Sequence, residues 1–415
     1  MVACGLAGRL APVPAINPPL PRLILAPKQT HRCRSGHPWV FRSEIERWEG
    51  EPEDGGVVEV VERTGKILGR GFHSARSQIA VRLLTRGDTV LDEDLLRRRL
   101  RAAIAWRDQA MAGRPCRRLV SSEGDLLPGL IVDQYHDRLV IQATTVGMDR
   151  RLDWWCAALA EELHPLQIVE RNDVPVRKLE GLDEHVGVRS GPADTRLLAR
   201  CGKVDLAVDL LDPHKTGAYL DQQVNHERIA SWLPNAGATV LDCCCHLGGF
   251  ALHALLAGAT RAVAVDTAPA AIAGCRAAAD RLGAGDRLET QVADAFAWLR
   301  AAGVQKQRFD LVVLDPPAFA RSREAVKGAL SGYRDLHVHA LRLLAPGGRL
   351  ATFTCSHHIT ATDFLAMVVE AAAQAGRTLR LDETLGAAPD HPVLPAVPES
   401  EYLRGWVLTV VGESS

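Results

Sequence analysis

The chain has 415 residues, with 49 basic and 50 acidic side chains, 47% apolar residues and 5% aromatic residues. This composition excludes a disordered, collagen-like or single small-domain protein. No apolar run approaches the ~18 to 20 residues needed to cross a bilayer, and residues 1–22 lack the charge order, apolar core and small-residue site of a signal peptide. We therefore expect a cytoplasmic protein with no membrane partner, in which residues 1–21 form a flexible extension.

The charges are unevenly distributed along the chain. Residues 1–120 hold 21 Lys or Arg against 13 Asp or Glu, and the remaining residues hold 28 against 37. A polyanion would bind at the basic end, although codon bias towards arginine is an equal explanation. The 10 cysteines are irregularly spaced, so we interpret most of them as reduced, buried apolar residues, with one or two reactive thiols.

The first half of the chain divides into two predicted domains. Over residues 22–92, short β-type runs alternate with turn signals, at 23–25, 57–61, 67–72 and 79–84, and a charged helix follows over about 91–112. Residues 93–205 are predicted to form a central α+β domain. Its elements are a hairpin at 130–134 and 138–144, a helix at 148–163 and a strand at 167–170.

From residue 206 to residue 415, apolar strands alternate with Ala-rich helices. The predicted strands are 239–243, 262–265, 288–292, 311–314 and 348–353, and the predicted helices are 222–233, 250–257, 268–282, 295–302, 325–344 and 361–375. Strands that are apolar throughout and separated by helices are typical of a parallel sheet covered on both faces. We predict a doubly wound α/β domain, whose ligands bind beyond the C-terminal ends of the strands.

Acidic and small residues follow the first three of these strands. Asp242 precedes a turn with Gly248 and Gly249, where the backbone can approach a ligand beside a helix N-terminus. Asp266 can accept hydrogen bonds from both hydroxyls of a ribose, and Asp294 can hold an adenine amino group. One such aspartate is more often a helix cap, but three at successive strand ends favour a nucleoside site.

The fourth and fifth strands end in the strongest motif of the chain. Asp315-Pro316-Pro317 fixes a carboxylate at the rim of the sheet, because proline locks φ and removes a backbone N–H. Thr354-Cys355-Ser356 ends the next strand. A cysteine is therefore predicted beside the strand that carries Asp315.

In this order, the residues resemble class I S-adenosylmethionine-dependent methyltransferases of the RNA 5-methylcytosine type. Over about residues 22–412, the chain is similar more narrowly to the bacterial large-subunit rRNA cytosine-C5 methyltransferases that carry an N-terminal PUA domain. Four further motifs carry this likeness: His37-Pro38-Trp39-Val40-Phe41, Glu123-Gly124-Asp125-Leu126-Leu127-Pro128-Gly129, Lys215-Thr216-Gly217-Ala218-Tyr219-Leu220-Asp221-Gln222 and Asp390-His391-Pro392-Val393.

The resemblance implies methyl transfer from S-adenosylmethionine to C5 of a cytosine in 23S ribosomal RNA. Cys355 would be the nucleophile that adds to C6, and Asp315 would hydrogen-bond the base and protonate N3. The implied cofactor-binding residues are Asp242, Gly248, Gly249, Phe250, Asp266, Asp294 and Gln222. No metal site is expected, because three adjacent cysteines at 243–245 point to alternate faces of a strand.

RNA binding is predicted for the N-terminal PUA-like domain, on Lys28, Arg32 and Trp39, because basic and aromatic side chains are interleaved there. The structural alternative places Trp39 in the core. Ala318 and Gln223 replace a Lys and an Arg of the family's pattern, which puts RNA contacts at those two positions in doubt.

The sequence is compared with the features expected for two other functions. A non-catalytic RNA-binding protein with a vestigial cofactor pocket is the main alternative, and intact Asp315 and Cys355 argue against it. A nicotinamide-dependent oxidoreductase is disfavoured because the chain lacks a GxGxxG turn. His391 is either a base for the C5 proton or part of a turn, and we favour the turn. A homodimer is compatible with the sequence.

Overall fold

The computed structural model describes residues 19–27, 32–211, 218–234, 236–320 and 322–413. The chain forms two compact units. The first unit contains the described residues up to Ala112, Arg117–Thr195 and Pro392–Pro398. The second contains Gly113–Cys116, Arg196–His391 and the described residues from Glu399 onward. The extension predicted over 1–21 lies outside the described residues except for 19–21, and the finer domain limits at residues 92 and 205 stay predictions.

A six-stranded sheet begins the first unit. Its strands are β1 (Arg22–Leu25), β2 (Trp39–Phe41), β3 (Ile45–Glu49), β4 (Val57–Val61), β5 (Ile67–His73) and β6 (Ile79–Leu83), in the order β2-β6-β5-β4-β1-β3. Successive side chains of a strand point to opposite faces. The inward faces bury a core that includes Leu23, Val40, Val58 and Val81.

A helix and a second sheet complete the first unit. The elements are α1 (Glu93–Ala110), β7 (Cys116–Ser121), β8 (Leu130–Tyr135), β9 (Arg138–Ala143), α2 (Val146–Asp149), α3 (Leu152–Leu163), β10 (Gln167–Asn172), α4 (Arg177–Glu180) and β11 (His185–Ser190). The sheet order is β11-β10-β9-β8-β7. The side chain of Asp92 caps α1 by accepting the backbone N–H of Leu95 at 2.8 Å, as expected for a helix N-cap.

The helix predicted over 148–163 is divided into α2 and α3. Arg151 lies between them with φ −109° and ψ 13°, outside the helical region. Its guanidinium donates to the carbonyl oxygens of Gly55 at 2.9 Å and Gly147 at 2.8 Å. The regular helical path is interrupted at this residue.

The second unit contains the alternating strands and helices. They are β12 (Arg196–Cys201), β13 (Val204–Asp209), α5 (Gln223–Ala230), β14 (Thr239–Cys243), α6 (Gly249–Leu256), β15 (Arg261–Asp266), α7 (Pro269–Arg281), β16 (Leu288–Val292), α8 (Ala295–Val304), β17 (Phe309–Leu314), α9 (Val326–Leu343), β18 (Leu344–Thr354), α10 (Ala361–Gln374), β19 (Arg377–Gly386) and β20 (Arg404–Glu413). β12 and β13 form a hairpin, and a seven-stranded sheet has the order β16-β15-β14-β17-β18-β20-β19.

The predicted α/β fold is confirmed in this sheet. β14 to β18 correspond to the five predicted strands and pair in parallel. β19 and β20 were not predicted, and β20 runs antiparallel to both of its neighbours. β19 lies at the sheet edge and alternates between half-buried and exposed residues, so it lacks the continuous apolar run of a central strand.

The order of the strands reverses between β14 and β17. From β14 the chain moves outward to β15 and β16, and from β17 it moves outward to β18 on the other side. Ligands of doubly wound sheets bind at such a switch point. Across the described ranges, no helix combines the length and the apolar character needed to span a bilayer.

Candidate active site

The strand register brings the two predicted catalytic residues to one rim of the sheet. Leu314, the last residue of β17, is level with Cys243 of β14 and Thr352 of β18. Asp315 follows Leu314 directly, and Cys355 follows the end of β18 on the neighbouring strand. A carboxylate and a thiol therefore lie on adjacent strand ends beside the switch point.

A cavity of about 990 Å³ opens at this rim. Small-molecule sites have volumes of roughly 300 to 1,000 Å³, so this cavity is large enough for a nucleoside-sized ligand. Six predicted site residues line it: Gln222, Gly249, Phe250, Asp266, Asp315 and Cys355. Three predicted cofactor-binding residues of the same unit do not line it: Asp242, Gly248 and Asp294.

Asp315 is held through both its backbone and its side chain. Its backbone N–H donates to the carbonyl oxygen of Cys243 at 3.4 Å, and its Oδ2 accepts a hydrogen bond from Nε2 of Gln222 at 2.9 Å. Pro316 and Pro317 continue the wall of the cavity. The carboxylate is thus oriented before any ligand binds.

The residues around Cys355 are anchored by Tyr333, a buried side chain of α9. The Tyr333 hydroxyl donates to the carbonyl oxygen of Pro317 at 3.4 Å. It also lies 3.3 Å from Oγ1 of Thr354 and 3.1 Å from Oγ of Ser356. One hydroxyl therefore connects the loop after β17 to both neighbours of the thiol. Sequence analysis missed Tyr333, because no local motif marks a polar group on the buried face of a helix.

Asp266 fixes the loop between β14 and α6. Its Oδ2 accepts the backbone N–H of His246 at 2.8 Å, and its Oδ1 accepts that of Ala268 at 2.9 Å. In the same loop, Cys244 has φ 61° and His246 has φ 49°, a left-handed conformation that is strained for residues with a side chain. Each carboxylate oxygen retains a second lone pair, so the fixed carboxylate can still accept ligand hydroxyls.

Asp242 does not line the cavity and is fully buried. Its Oδ2 accepts the backbone N–H of Ala251 at 3.0 Å, whereas its Oδ1 is buried with no hydrogen-bond partner among the described residues. Burial raises the pKa of Asp242 to about 8, and the charges of Asp315 and Asp266 add to this rise. In this position Asp242 supports the start of α6.

Packing within the protein accounts for the glycines that were predicted to approach a ligand. Gly248 has φ 78°, and a Cβ at this position would lie 2.2 Å from Sγ of Cys275. A Cβ at Gly249 would lie 2.3 Å from Cε1 of His226. Asp294 is exposed and caps α8 by accepting one of its backbone N–H groups at 2.9 Å.

Three further cysteines line the cavity: Cys201, Cys244 and Cys245. Burial raises the pKa of Cys244, and the nearby carboxylates of Asp266 and Asp315 raise it further. The thiol of Cys244 is therefore protonated at neutral pH. Within the ranges that the structure describes, no group of three or more His, Cys, Asp or Glu side chains is arranged to hold a metal ion.

The predicted RNA-binding residues lie in the first unit. Arg32 is exposed at the start of a short 3-10 helix. Trp39 is half-buried in β2, where its Nε1 donates to Oε1 of Glu123 at 2.7 Å and its ring packs edge-on against His37. Lys28 lies outside the described residues.

His391 lies in a buried pair outside the cavity lining. Its Nδ1 is 2.8 Å from Oδ1 of Asp390, and both residues are buried. The two residues occupy a turn after β19. This geometry corresponds to the turn interpretation of His391.

Comparison with known proteins identifies the family. The chain is 41% identical over 383 residues to ribosomal RNA large subunit methyltransferase I of Aeromonas hydrophila, covering 90% of this chain and 95% of that protein. It is 36% identical over 396 residues to the protein of the same name from Aliivibrio fischeri, covering 94% of this chain and 99% of that protein. The chain belongs to the ribosomal RNA large subunit methyltransferase I family.

Family models match two parts of the chain, and solved structures share its fold. Residues 23–86 match a PUA-like domain, and residues 225–336 match the family called conserved hypothetical protein 95. A structure described as a putative methyltransferase complexed with SAH has a TM-score of 0.79 and 19% identity, covering 94% of this chain and all of that one. A putative SAM-dependent methyltransferase from Streptococcus mutans has a TM-score of 0.77 and 19% identity, with the same coverage. At this identity, the structural likeness shows the fold alone.

Proposed function

We propose that this member of the family transfers a methyl group from S-adenosylmethionine to C5 of a cytosine in the 23S RNA of the large ribosomal subunit. The observation that carries the proposal is the placement of Asp315 and Cys355, which end adjacent strands and line one cavity. Acid and nucleophile must reach the same base for a covalent route. The names of the relatives support rRNA as the substrate.

The residues of the cavity fit an adenosine-containing cofactor. Asp266 is oriented by two backbone N–H groups and keeps acceptor capacity for ribose hydroxyls. Phe250, Pro269 and Ala293 add apolar surface to the lining, which suits a purine. When bound, S-adenosylmethionine supplies the methyl group as a sulfonium electrophile.

The protein's own residues would make C5 of the base reactive. The Cys355 thiolate adds to C6, so the C5=C6 π electrons move into the ring and N3 takes a proton from Asp315. C5 would then form the new carbon–carbon bond with the sulfonium methyl group as the methyl–sulfur bond breaks, with the electron pair of that bond staying on sulfur. Transfer of the C5 proton to a base, return of the N3 proton to Asp315 and cleavage of the S–C6 bond would restore the aromatic ring and release the thiolate.

RNA binding is proposed for the first unit, through Lys28, Arg32 and Trp39. A PUA-like domain at residues 23–86 supports this assignment, as does the exposure of Arg32. Arginine contributes phosphate contacts, and a half-buried indole offers an edge or face for an unpaired base.

The test is methyl transfer from labelled S-adenosylmethionine to 23S rRNA that lacks the modification, followed by digestion to nucleosides. We expect the label in 5-methylcytidine, loss of transfer in Cys355→Ala, and normal transfer in the control Cys156→Ala, which removes a half-buried thiol of the first unit. Label in another nucleoside would overturn the C5 assignment. RNA binding without transfer would favour the non-catalytic alternative.

A further inference from the structure

A chain of buried amide hydrogen bonds ends on Asp315. Nδ2 of Asn225 donates to the carbonyl oxygen of Gly386 at 2.9 Å and to Oε1 of Gln222 at 2.6 Å. Nε2 of Gln222 then donates to Oδ2 of Asp315 at 2.9 Å. Gln222 and Asn225 are 2% and 4% exposed, so water does not compete for these bonds.

The carbonyl group of Gly386 sets the donor-to-acceptor direction of this series of amide hydrogen bonds. The nitrogen and oxygen of an amide side chain are distinguished by their partners. A backbone carbonyl only accepts, so the nitrogen of Asn225 must face Gly386. The oxygen of Gln222 must then face Asn225, which leaves the nitrogen of Gln222 directed at Asp315.

The residues of this hydrogen-bond series come from separate segments of the second unit. Gln222 ends the 3-10 turn Leu220–Gln222, Asn225 lies in the first turn of α5, and Gly386 ends β19. Gly386 is itself paired with Arg404 of β20. The amide nearest Asp315 is therefore oriented by the edge of the sheet, 161 residues away from Asn225 in sequence.

We propose that Gln222 and Asn225 are positioning residues that direct one N–H at Asp315 and so set its orientation and its readiness to transfer a proton. The inference rests on the proposed function, in which Asp315 gives a proton to N3 of cytosine. A donor on Oδ2 stabilises the carboxylate that remains after this transfer. In this proposal Gln222 orients the acid Asp315, whereas the resemblance implied that Gln222 binds the cofactor.

Other titratable groups surround Asp315 and belong to the same electrostatic site. Burial raises the pKa of Tyr219, and the Asp315 carboxylate raises it further. The pKa values of Asp242 and Cys244 are raised mainly by burial, with an added contribution from Asp315. Cys355 lines the same cavity. These groups are unchanged in the variants below. Gln222→Leu adds no charge, so its effect isolates the amide hydrogen bond to Asp315.

The test compares Gln222→Leu and Asn225→Asp with the wild type in the full chain and with 23S rRNA as substrate. Leu keeps the volume of Gln without the donor, so we expect kcat to fall about tenfold or more and its pH profile to move up by about one unit. The carboxylate introduced by Asn225→Asp cannot donate to Gly386 or Gln222. The Gln222 amide should then turn its oxygen to Asp315 and produce a shift of the same sign.

The control is Gln291→Leu, at a half-buried glutamine of β16 that does not line the cavity. We expect its kcat and pH profile to match the wild type. Calorimetry should give all variants the wild-type Kd for S-adenosylmethionine within about twofold, because the amides of Gln222 and Asn225 orient Asp315 and do not bind the cofactor. Circular dichroism confirms that each variant is folded.

The outcomes separate the positioning proposal from the proposed function. An active wild type, with unshifted pH profiles in both variants and a weakened cofactor Kd in Gln222→Leu, overturns the positioning role and returns Gln222 to the cofactor. A wild type that forms no 5-methylcytidine overturns the function and the inference together. A shift in Gln222→Leu, which adds no charge, is the result that supports the oriented amides, and Asn225→Asp should shift the profile with the same sign.

Discussion

Substitution of Asp242 by Asn should stabilise the protein at neutral pH, in a manner that depends on pH. In the folded protein, burial raises the pKa of Asp242 from 3.8 to about 8. Between these two values the folded protein keeps the proton and the unfolded chain has lost it. Unfolding therefore releases a proton, and stability falls as the pH rises.

The size of the effect follows from the two pKa values. Each pH unit above the unfolded pKa of 3.8 lowers the free energy of unfolding by about 1.4 kcal/mol, until the folded pKa is reached. At about pH 7 the buried acid therefore lowers the free energy of unfolding by roughly 4 kcal/mol. Protonated Asp242 already has one O–H at Oδ1, for which the described residues offer no partner. Asn keeps an acceptor for the Ala251 N–H but places two amide N–H groups at this point, and the additional unpaired N–H costs about 1 to 3 kcal/mol. The net gain at about pH 7 is roughly 1 to 3 kcal/mol, and it disappears near pH 5.

Urea unfolding followed by circular dichroism measures this difference. The free energies of unfolding of the wild type and Asp242→Asn are measured at several pH values between about 5 and 7. Only the difference between the two proteins is used, because the contributions of the other titrating groups cancel in it. The difference should change by about 1.4 kcal/mol per pH unit. A difference that does not vary with pH would mean that Asp242 is ionised in the folded protein, and would refute this account of its environment.

Three further predictions concern the cofactor, the thiol segment and the RNA. Asp266→Ala should weaken S-adenosylmethionine binding by roughly 10- to 100-fold in calorimetry, since it removes a charged acceptor, while the exposed control Asp286→Ala should bind normally. Tyr333→Phe should lower the free energy of unfolding by about 1 to 3 kcal/mol and slow methyl transfer, because it removes the hydrogen bonds of the Tyr333 hydroxyl to the residues on both sides of Cys355. Wild-type stability and a wild-type rate would contradict this prediction. Trp39→Ala should weaken binding of an rRNA fragment about tenfold in fluorescence anisotropy. An equal loss in Glu123→Leu, which removes the acceptor of the indole N–H, would show that this hydrogen bond accounts for the effect, and not stacking of the indole on RNA.

Much of the second unit could be predicted because its central strands are apolar throughout. β14, β15 and β17 are largely buried on both faces, and this leaves a continuous signal in the sequence, whereas the edge strand β16 buries only Leu288. β19 carries charged residues at the sheet edge, and its alternation of half-buried and exposed positions gave no such signal. The antiparallel strand β20 depends on β18 and β19 as partners, which are contacts that no local pattern records.

The candidate site was predictable where residues lie at strand ends, and not where they act through distant contacts. Asp315 and Cys355 were predicted together because they follow the ends of two neighbouring predicted strands. The hydrogen bond from Gln222 to Asp315 joins residues 93 positions apart, and its direction depends on a further carbonyl group at Gly386. The requirement for glycine at Gly249 comes from the ring of His226, which sequence spacing does not reveal.

The most direct test of the proposed chemistry is to trap the base on the enzyme. RNA in which the target cytidine carries fluorine at C5 can accept the thiolate and the methyl group, but it has no C5 proton to lose, so the S–C6 bond cannot be released. We predict a covalent RNA–protein complex that survives denaturation, with peptide mass spectrometry placing the adduct on Cys355. An adduct on Cys244 or Cys245, or normal methylation of the natural RNA with no adduct on the fluorinated RNA, would contradict the assignment of Cys355 as the nucleophile.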